Sequence, residues 1–338
     1  MSGGPKIAVL GAGSVGCFIG GAWQAAGLPV TFIGRQRIAR DVDEHGLTLS
    51  DYSGWRAEIP PGDVDYRCGP EPLDEAEIIA VTVKSGDTAE AAAQIAKHAT
   101  RGALVISLQN GVSNVDILEQ GLSGRFEIAR GMVPYNVAYL GQGRFHKGVA
   151  GDLQADRRNG TRSLADAVAG SAAALKLSDD MLGLAWGKLL INLNNAVNAL
   201  SGKTLQDELK HRDYRRVFAA SMVEGLELLK LAEIEPATVG PISPQVLPRI
   251  VNSPDWLFNT VFLKRWKIDA KARSSMADDL ATGRRTEVDY LNGELVRLAE
   301  RLQRDAPVNR AIVELVHKAE EGAPPLAPKP LRKAVLGG

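Results

Sequence analysis

Ile7-Ala8-Val9-Leu10-Gly11-Ala12-Gly13-Ser14-Val15-Gly16 decides how this 338-residue chain begins. Four apolar residues make a short buried-strand run, and a glycine turn of the form GxGxxG ends it. A helical pattern follows from Ser14 to about Ala26, closed by Gly27, and Val30-Thr31-Phe32-Ile33 reads as a second strand. In that setting each glycine has a separate task. Gly11 permits the tight turn, Gly13 lets backbone approach a pyrophosphate, and Gly16 lets the helix pack on the strand. The helix start at Ser14 and Val15 offers unpaired N–H groups and a partial positive charge to phosphates. A glycine-rich turn without a ligand is the plainer alternative. The strand before it and the helix and strand after it favour a dinucleotide.

The next residues bear on which dinucleotide. A site for NAD places a carboxylate at the tip of the second strand, where it bonds the ribose 2′-hydroxyl. Here the tip reads Gly34-Arg35-Gln36-Arg37, with Arg40 one turn on. Arg35 offers a fork suited to a 2′-phosphate, so NADPH is the expected cofactor. A solvated basic turn, with Asp41 and Asp43 close by, is the competing reading. The uncharged run from Ile7 to Gly34 resembles a signal or membrane segment only superficially, because its glycines, Trp23, Gln24 and Pro29 resolve it into strand, turn, helix and strand. A cytoplasmic protein is expected.

Working outward, β-branched runs recur at residues 78–83, 104–108 and 126–128, with helical stretches at 88–98 and 114–120 between them. That alternation predicts parallel pairing through crossovers. Residues 145–153 read as further strand, giving the sheet a mixed edge. After residue 178 the texture turns helical: 179–200, 214–231, 275–304 and 308–320. The expected architecture is an α/β N-terminal Rossmann-type domain (1–178) plus an all-α C-terminal substrate and catalytic domain (179–321). A flexible tail (322–338) with four prolines would close the chain. Forty Lys and Arg balance forty Asp and Glu, which weighs against nucleic acid or an anionic membrane as partner. Two cysteines, Cys17 and Cys68, exclude a disulfide framework. The five histidines include no pair at metal-ligand spacing, and there is neither HExxH nor GxSxG, so no metal is expected.

Candidate chemistry gathers in three places. Lys84 and Gln109-Asn110-Gly111 follow apolar strands, and ligands of open α/β sheets collect at strand carboxyl ends. Each also reads as an ordinary surface residue or turn. Lys188, Asn192 and Asn195 stand at i, i+4 and i+7 of a largely apolar helix, which puts both asparagines within about 40° of Lys188 around its axis. They form either a structural polar network or a general acid, Lys188, oriented by amides. The third place is Ser274-Ser275-Met276-Ala277-Asp278-Asp279, continuing through Gly283-Arg284-Arg285-Thr286-Glu287-Val288-Asp289-Tyr290-Leu291-Asn292-Gly293, where capping plus a solvated charged face of Asp278, Arg284 and Arg285 is the competing reading. The serines can cap a helix or bind a carboxylate, and Glu287 can accept a bond from a substrate hydroxyl.

Over residues 5–320 these features resemble the ketopantoate reductase (2-dehydropantoate 2-reductase) family. The resemblance rests on the glycine turn, Val83-Lys84, Gln109-Asn110-Gly111, the Lys188…Asn192 pair and above all the Ser275…Glu287…Gly293 string. It implies that Lys188 protonates the new hydroxyl and that Glu287 is a substrate-binding, catalysis-supporting carboxylate. It further implies that Lys84 and Asn110 line the nicotinamide and substrate site, and that Asn192 and Ser275 hold the substrate. The family's second asparagine falls at Ala196 here, with Asn195 one residue early; its Asn-Gly-Glu-Leu-like segment is replaced by Gln206-Asp207-Glu208-Leu209, and Tyr135 stands where a smaller residue is usual. The expected reaction is NADPH-dependent reduction of a 2-keto acid, ketopantoate first, with a small molecule as partner and a homodimer left open. A reductase of a different 2-keto acid, a 3-hydroxy acid dehydrogenase and a non-catalytic NADPH-sensing regulator are the alternatives.

Overall fold

A computed structural model describes residues 4–266 and 268–337. The chain divides into two compact units, Met1–Met181 and Leu182–Gly338, three residues beyond the boundary expected from texture. The first unit opens with β1 (Ile7–Leu10), α1 (Ser14–Ala25), β2 (Val30–Ile33), α2 (Gln36–His45), β3 (Leu47–Asp51), β4 (Arg56–Ile59) and β5 (Asp65–Arg67). It continues with β6 (Ile78–Val81), α3 (Thr88–His98), β7 (Leu104–Ser107), α4 (Asn114–Leu122), β8 (Glu127–Met132) and β9 (Val137–Tyr139). It ends with β10 (Arg144–Lys147), β11 (Leu153–Asp156), α5 (Asn159–Ala167) and β12 (Leu175–Ser178).

Among the described residues eight strands form the main sheet, in the order β12-β11-β8-β7-β6-β1-β2-β5. β1 sits centrally, parallel to β2 on one side and β6 on the other. Its four residues are all buried because both faces of the sheet are covered. Ile7 and Val9 pack with Phe18, Trp23 and Phe32, while Ala8 and Leu10 pack with Ile79, Val81 and Ile95. A strand covered on both faces reads as a continuous apolar run rather than an alternation. The mixed edge is present: β11 runs antiparallel to β8 and parallel to β12.

The expected strand over 145–153 is instead two strands in two sheets. β10 pairs with β3, and only β11 belongs to the main sheet. The second sheet, β4-β3-β10-β9, was not foreseen. Its central pairing joins Thr48 to Arg144, a contact too remote in sequence for local pattern to reveal. It packs on α1, where a Cβ at Gly21 would lie 2.7 Å from Leu49.

The second unit is helical: α6 (Met181–Asn192), α7 (Asn194–Ser201), α8 (Leu205–Leu209), α9 (Arg212–Leu231), α10 (Leu247–Val251) and α11 (Asp255–Leu257). There follow α12 (Leu263–Trp266), α13 (Ser275–Ala281), α14 (Asn292–Arg301), α15 (Pro307–Glu320) and α16 (Pro328–Leu336). Two expected helices are broken. The 179–200 helix is interrupted at Leu193, and the 275–304 helix stops at Thr282. Gly283 adopts φ +64°, a left-handed conformation that ends the helix, and a 3₁₀ turn at Val288–Tyr290 precedes α14.

The segment expected to be a flexible tail folds. Tyr214 Oη donates to the Leu326 carbonyl at 2.7 Å, the Leu326 amide donates to Leu200 at 2.9 Å, and α16 buries Leu331. Two of the four prolines that suggested flexibility stand at 328 and 330, in the first turn of α16, where backbone donors lack helical partners in any case, and the other two, 324 and 325, precede the helix. Among the described residues no helix is long and apolar enough to cross a membrane.

Candidate active site

In the first unit the strand order reverses between β1 and β6, and the loops leaving these two strands meet there. Gly11 has φ +97°, and a Cβ on it would lie 2.4 Å from the Val83 backbone nitrogen. Only glycine allows that approach. A Cβ on Gly16 would lie 2.6 Å from Thr82 Oγ1 and 2.9 Å from Val9, the close packing of helix on strand. Gly13 differs from both: a Cβ there would meet nothing nearer than the Gly11 carbonyl at 3.8 Å. Its open side leads to the start of α1, where Ser14 and Val15 are partly exposed. That helix end has no side-chain cap and no acidic residue in its first turn. A pyrophosphate fits this cradle, because the turn leaves backbone accessible and the helix presents uncapped donors.

Arg35 is the N-cap residue of α2, in extended conformation and without a capping hydrogen bond. Its side chain is 80% exposed, with the guanidinium 3.6 Å from Asp87. Arg37 instead lies over the Tyr139 ring at 5.4 Å. Tyr66, overlooked in the sequence, donates to the Ala12 carbonyl at 2.7 Å and fills the space beside Gly34, where a Cβ would lie 2.1 Å from its hydroxyl. This buried tyrosine ties the glycine turn to the loop bearing Arg35.

Lys84 and Asn110 stand partly exposed just past β6 and β7. A buried polar network fixes both loops. Ser85 Oγ donates to the Asn110 carbonyl at 3.0 Å, and Asn114 Nδ2 donates to the same oxygen at 2.5 Å. Gln109 Nε2 donates to Thr88 Oγ1 at 2.7 Å and to the Val83 carbonyl at 3.1 Å, while Thr88 Oγ1 donates to Asn114 Oδ1 at 2.9 Å. Its place inside the network gives Gln109 a structural task.

In the second unit Lys188 lies on α6 between buried Trp186 and Leu189. Burial pulls its ammonium down from the ordinary lysine range to about 8, and the charge of Glu287 pulls it partly back up. The two groups named from distant parts of the sequence therefore act on each other. Asn192 and Asn195 are both partly exposed, on α6 and α7. Gly187 was not anticipated. A Cβ there would lie 2.0 Å from the Ala237 carbonyl, and the Ala237 amide donates to Gly183 at 2.8 Å, so the 234–239 loop lies directly against the helix bearing Lys188.

The third cluster separates into exposed and structural residues. Ser274, not Ser275, caps α13, its Oγ accepting from Ala277 at 3.1 Å and donating to the Asn195 carbonyl at 3.0 Å. Ser275 is exposed at the first helical position. Asp279 is buried and accepts from Arg284 Nε at 3.0 Å, holding the turn at Gly283. The Thr286 amide donates to Glu320 at 2.7 Å, and buried Asn292 donates to Asn309 at 3.0 Å. His317 approaches Asp289 to 3.1 Å. Much of the string thus anchors the short turn that begins at Glu287. Among the described residues no cluster of His, Cys, Asp and Glu could hold a metal.

A parallel-sheet nucleotide-binding unit followed by a helical unit bearing a lysine and a carboxylate defines a class, the two-unit oxidoreductases with a Rossmann-type first half. Comparison with known proteins narrows it. Residues 7–159 match the family described as "Ketopantoate reductase PanE/ApbA", and residues 180–320 match "Ketopantoate reductase PanE/ApbA C terminal". The chain belongs to the ketopantoate reductase family and is an oxidoreductase acting on CH–OH groups. A 2-dehydropantoate 2-reductase of Archaeoglobus fulgidus is 27% identical over 322 residues, covering 94% of this chain and 98% of the relative. One of Halobacterium salinarum is 28% identical, covering 93% and 99%. The crystal structure of a PanE/ApbA family ketopantoate reductase from Ralstonia eutropha, 28% identical, aligns with TM-score 0.80 over 94% of this chain and 98% of that one.

Proposed function

We propose that this chain is an NADPH-dependent reductase of a 2-keto acid, with ketopantoate as its substrate. The observation that carries the reading is the placement of Lys188, partly buried on α6, within the electrostatic reach of Glu287 from the distant turn, with burial lowering the lysine toward the working range of a general acid. The substrate is supported by relatives that carry the name 2-dehydropantoate 2-reductase along nearly their whole length. When bound, the dihydronicotinamide supplies the hydride that becomes the C2–H of the product.

The chain's own residues do the rest. Gly11, Gly13 and Gly16 shape the turn, and the α1 start at Ser14 and Val15 holds the pyrophosphate. Arg35 pairs with the 2′-phosphate, while Lys84 and Asn110 line the nicotinamide and keto acid. Lys188 stabilises the oxygen developing at C2 and donates its proton there. Glu287 accepts from the substrate's 4-hydroxyl and favours the protonated Lys188. Asn192, Asn195 and Ser275 hold the remaining polar groups of the keto acid.

NADPH oxidation measured against a panel of 2-keto acids tests this reading. Ketopantoate should give the highest kcat/KM, and NADPH should outperform NADH. Turnover of some other keto acid but not of ketopantoate would keep the chemistry and remove the substrate. No NADPH oxidation with any of them would point to a nucleotide sensor.

A further inference from the structure

One buried carboxylate of the second unit has no part in the proposed chemistry. Glu208, on α8, is fully buried, and its Oε2 accepts from two side-chain amides: Asn194 Nδ2 at 3.1 Å and Asn198 Nδ2 at 3.3 Å. Asn198, also fully buried, spends its nitrogen additionally on the Lys203 carbonyl at 3.2 Å, and its Oδ1 accepts the Ser274 backbone amide at 2.9 Å. Ser274 Oγ closes the chain of bonds on the Asn195 carbonyl at 3.0 Å. A continuous buried path thus runs from Glu208 through Asn198 to Ser274, whose next neighbour is Ser275. A second branch runs through Asn194, whose next neighbour is Asn195.

An amide can be turned end for end at little steric cost, so its orientation is set by its partners. Glu208 Oε2 presents only an acceptor to Asn198, which obliges the amide nitrogen to face it. The amide oxygen must then face Ser274, where the backbone donor lies. Burial pushes the Glu208 carboxyl up to about 8, and the two amides and Arg215 act against that rise. A glutamine at this position would keep a carbonyl oxygen able to accept from both amides in the place of Oε2.

We propose that Glu208 is a positioning residue of the reductase site, which fixes the Asn194 and Asn198 amides and through them the placement of Asn195 and the Ser274–Ser275 segment. The inference rests on the reading of Asn195 and Ser275 as substrate-holding groups.

The test compares Glu208→Leu, which removes the acceptor, with Glu208→Gln, which keeps one. With ketopantoate and NADPH, Glu208→Leu should raise the keto acid KM by ten-fold or more while kcat falls by less than three-fold and NADPH affinity is unchanged. Glu208→Gln should bring KM back to within about three-fold of wild type. An unchanged KM in Glu208→Leu overturns the proposal; so does a Glu208→Gln variant as impaired as Glu208→Leu. Hydrogen exchange of the Ser274–Ala277 amides, measured without substrate, separates this proposal from the substrate reading. Glu208→Leu should lose protection there and Glu208→Gln retain it. If wild type fails to reduce ketopantoate, the substrate reading falls while the exchange result still decides for or against Glu208: unchanged protection in Glu208→Leu overturns it.

Discussion

The glycine turn of the first unit and the Lys188–Glu287 pair of the second are built on opposite plans. The turn is made of backbone, and its parts lie within ten residues of one another. Its glycines matter for what they lack: at Gly11 and Gly16 a Cβ would strike Val83 or Thr82, and at Gly13 nothing would be struck at all. The pair is made of side chains ninety-nine residues apart, brought to bear by a broken helix, an Asp279–Arg284 contact and the Glu320 acceptor for Thr286. Backbone sites tolerate exchange of exposed side chains around them. Side-chain sites concentrate their chemistry in a few atoms, so single substitutions there should cost most.

The sharpest division between the two plans is expected at Lys188. Lys188→Ala should lower kcat by roughly 10²–10⁴, the usual contribution of a positioned general acid, with NADPH affinity near wild type. Normal turnover in steady-state assays would make Lys188 a structural residue and dissolve the comparison.

On the other side, Arg35 is the one exposed side chain to which the backbone plan assigns a large effect. Arg35→Asp should weaken NADPH binding by about 2–3 kcal/mol, because a charge-assisted pair is lost and a repulsion added. NADH affinity should change much less. Equal losses in titrations with both cofactors would move the 2′-phosphate to Arg37 or Arg40.

Glu287 should act on selectivity. Once bound substrate shuts partly exposed Glu287 off from water, an acceptor deprived of its donor costs about 1–3 kcal/mol, so wild type should prefer ketopantoate over 2-ketoisovalerate by roughly ten-fold or more. Glu287→Ala should remove most of that preference in kcat/KM measured on both substrates. If the preference survives, the hydroxyl is read by another group.

The smallest effect is a displacement along the pH axis. Lys188 donates only when protonated, so kcat should fall as pH rises through about 8. Glu287 holds this value up, and Glu287→Gln should shift the alkaline limb to lower pH. For stability the sign is opposite. The native state binds fewer protons at Lys188 than the unfolded chain between about 8 and the ordinary lysine value, so this group favours the fold increasingly as pH rises across that window. A limb that stays in place in Glu287→Gln would mean that Glu287 does not act on the acid.

The two plans also differ in how far a reader of the sequence can follow them. The glycine turn and strands β1, β2, β6 and β7 are legible because their signals are local: apolar runs, glycine spacing and a helix directly after the turn. β3, β4, β9 and β10 are not, since their sheet depends on pairing Leu49 with Phe145 across the unit. In the helical unit Lys188, Asn192 and the Ser275…Glu287 string could be named through resemblance. The break at Gly283 was hidden by a charged stretch of good helical composition, although the break is what separates Glu287 from α13. Ser274, Tyr66 and Gly187 were missed because their tasks are defined by partners distant in sequence. Asp278 and Arg284 behave as a solvated or structural face, with Arg284 held by Asp279.

The docking of α16 has a consequence for the order in which the molecule is made. Leu331 is fully buried, Val335 nearly so, and the Leu326 carbonyl satisfies Tyr214 on α9. During synthesis the first unit has all its strands once residue 178 has emerged, and domains generally fold as they appear. The helices around α9 must wait for residues more than a hundred positions later, leaving Tyr214 and the apolar bed of Leu331 uncovered meanwhile. Nascent chains stalled near residue 325 should therefore present a protease-resistant first unit and a cleavable second one, and resistance of both would mean that α16 is dispensable for consolidation.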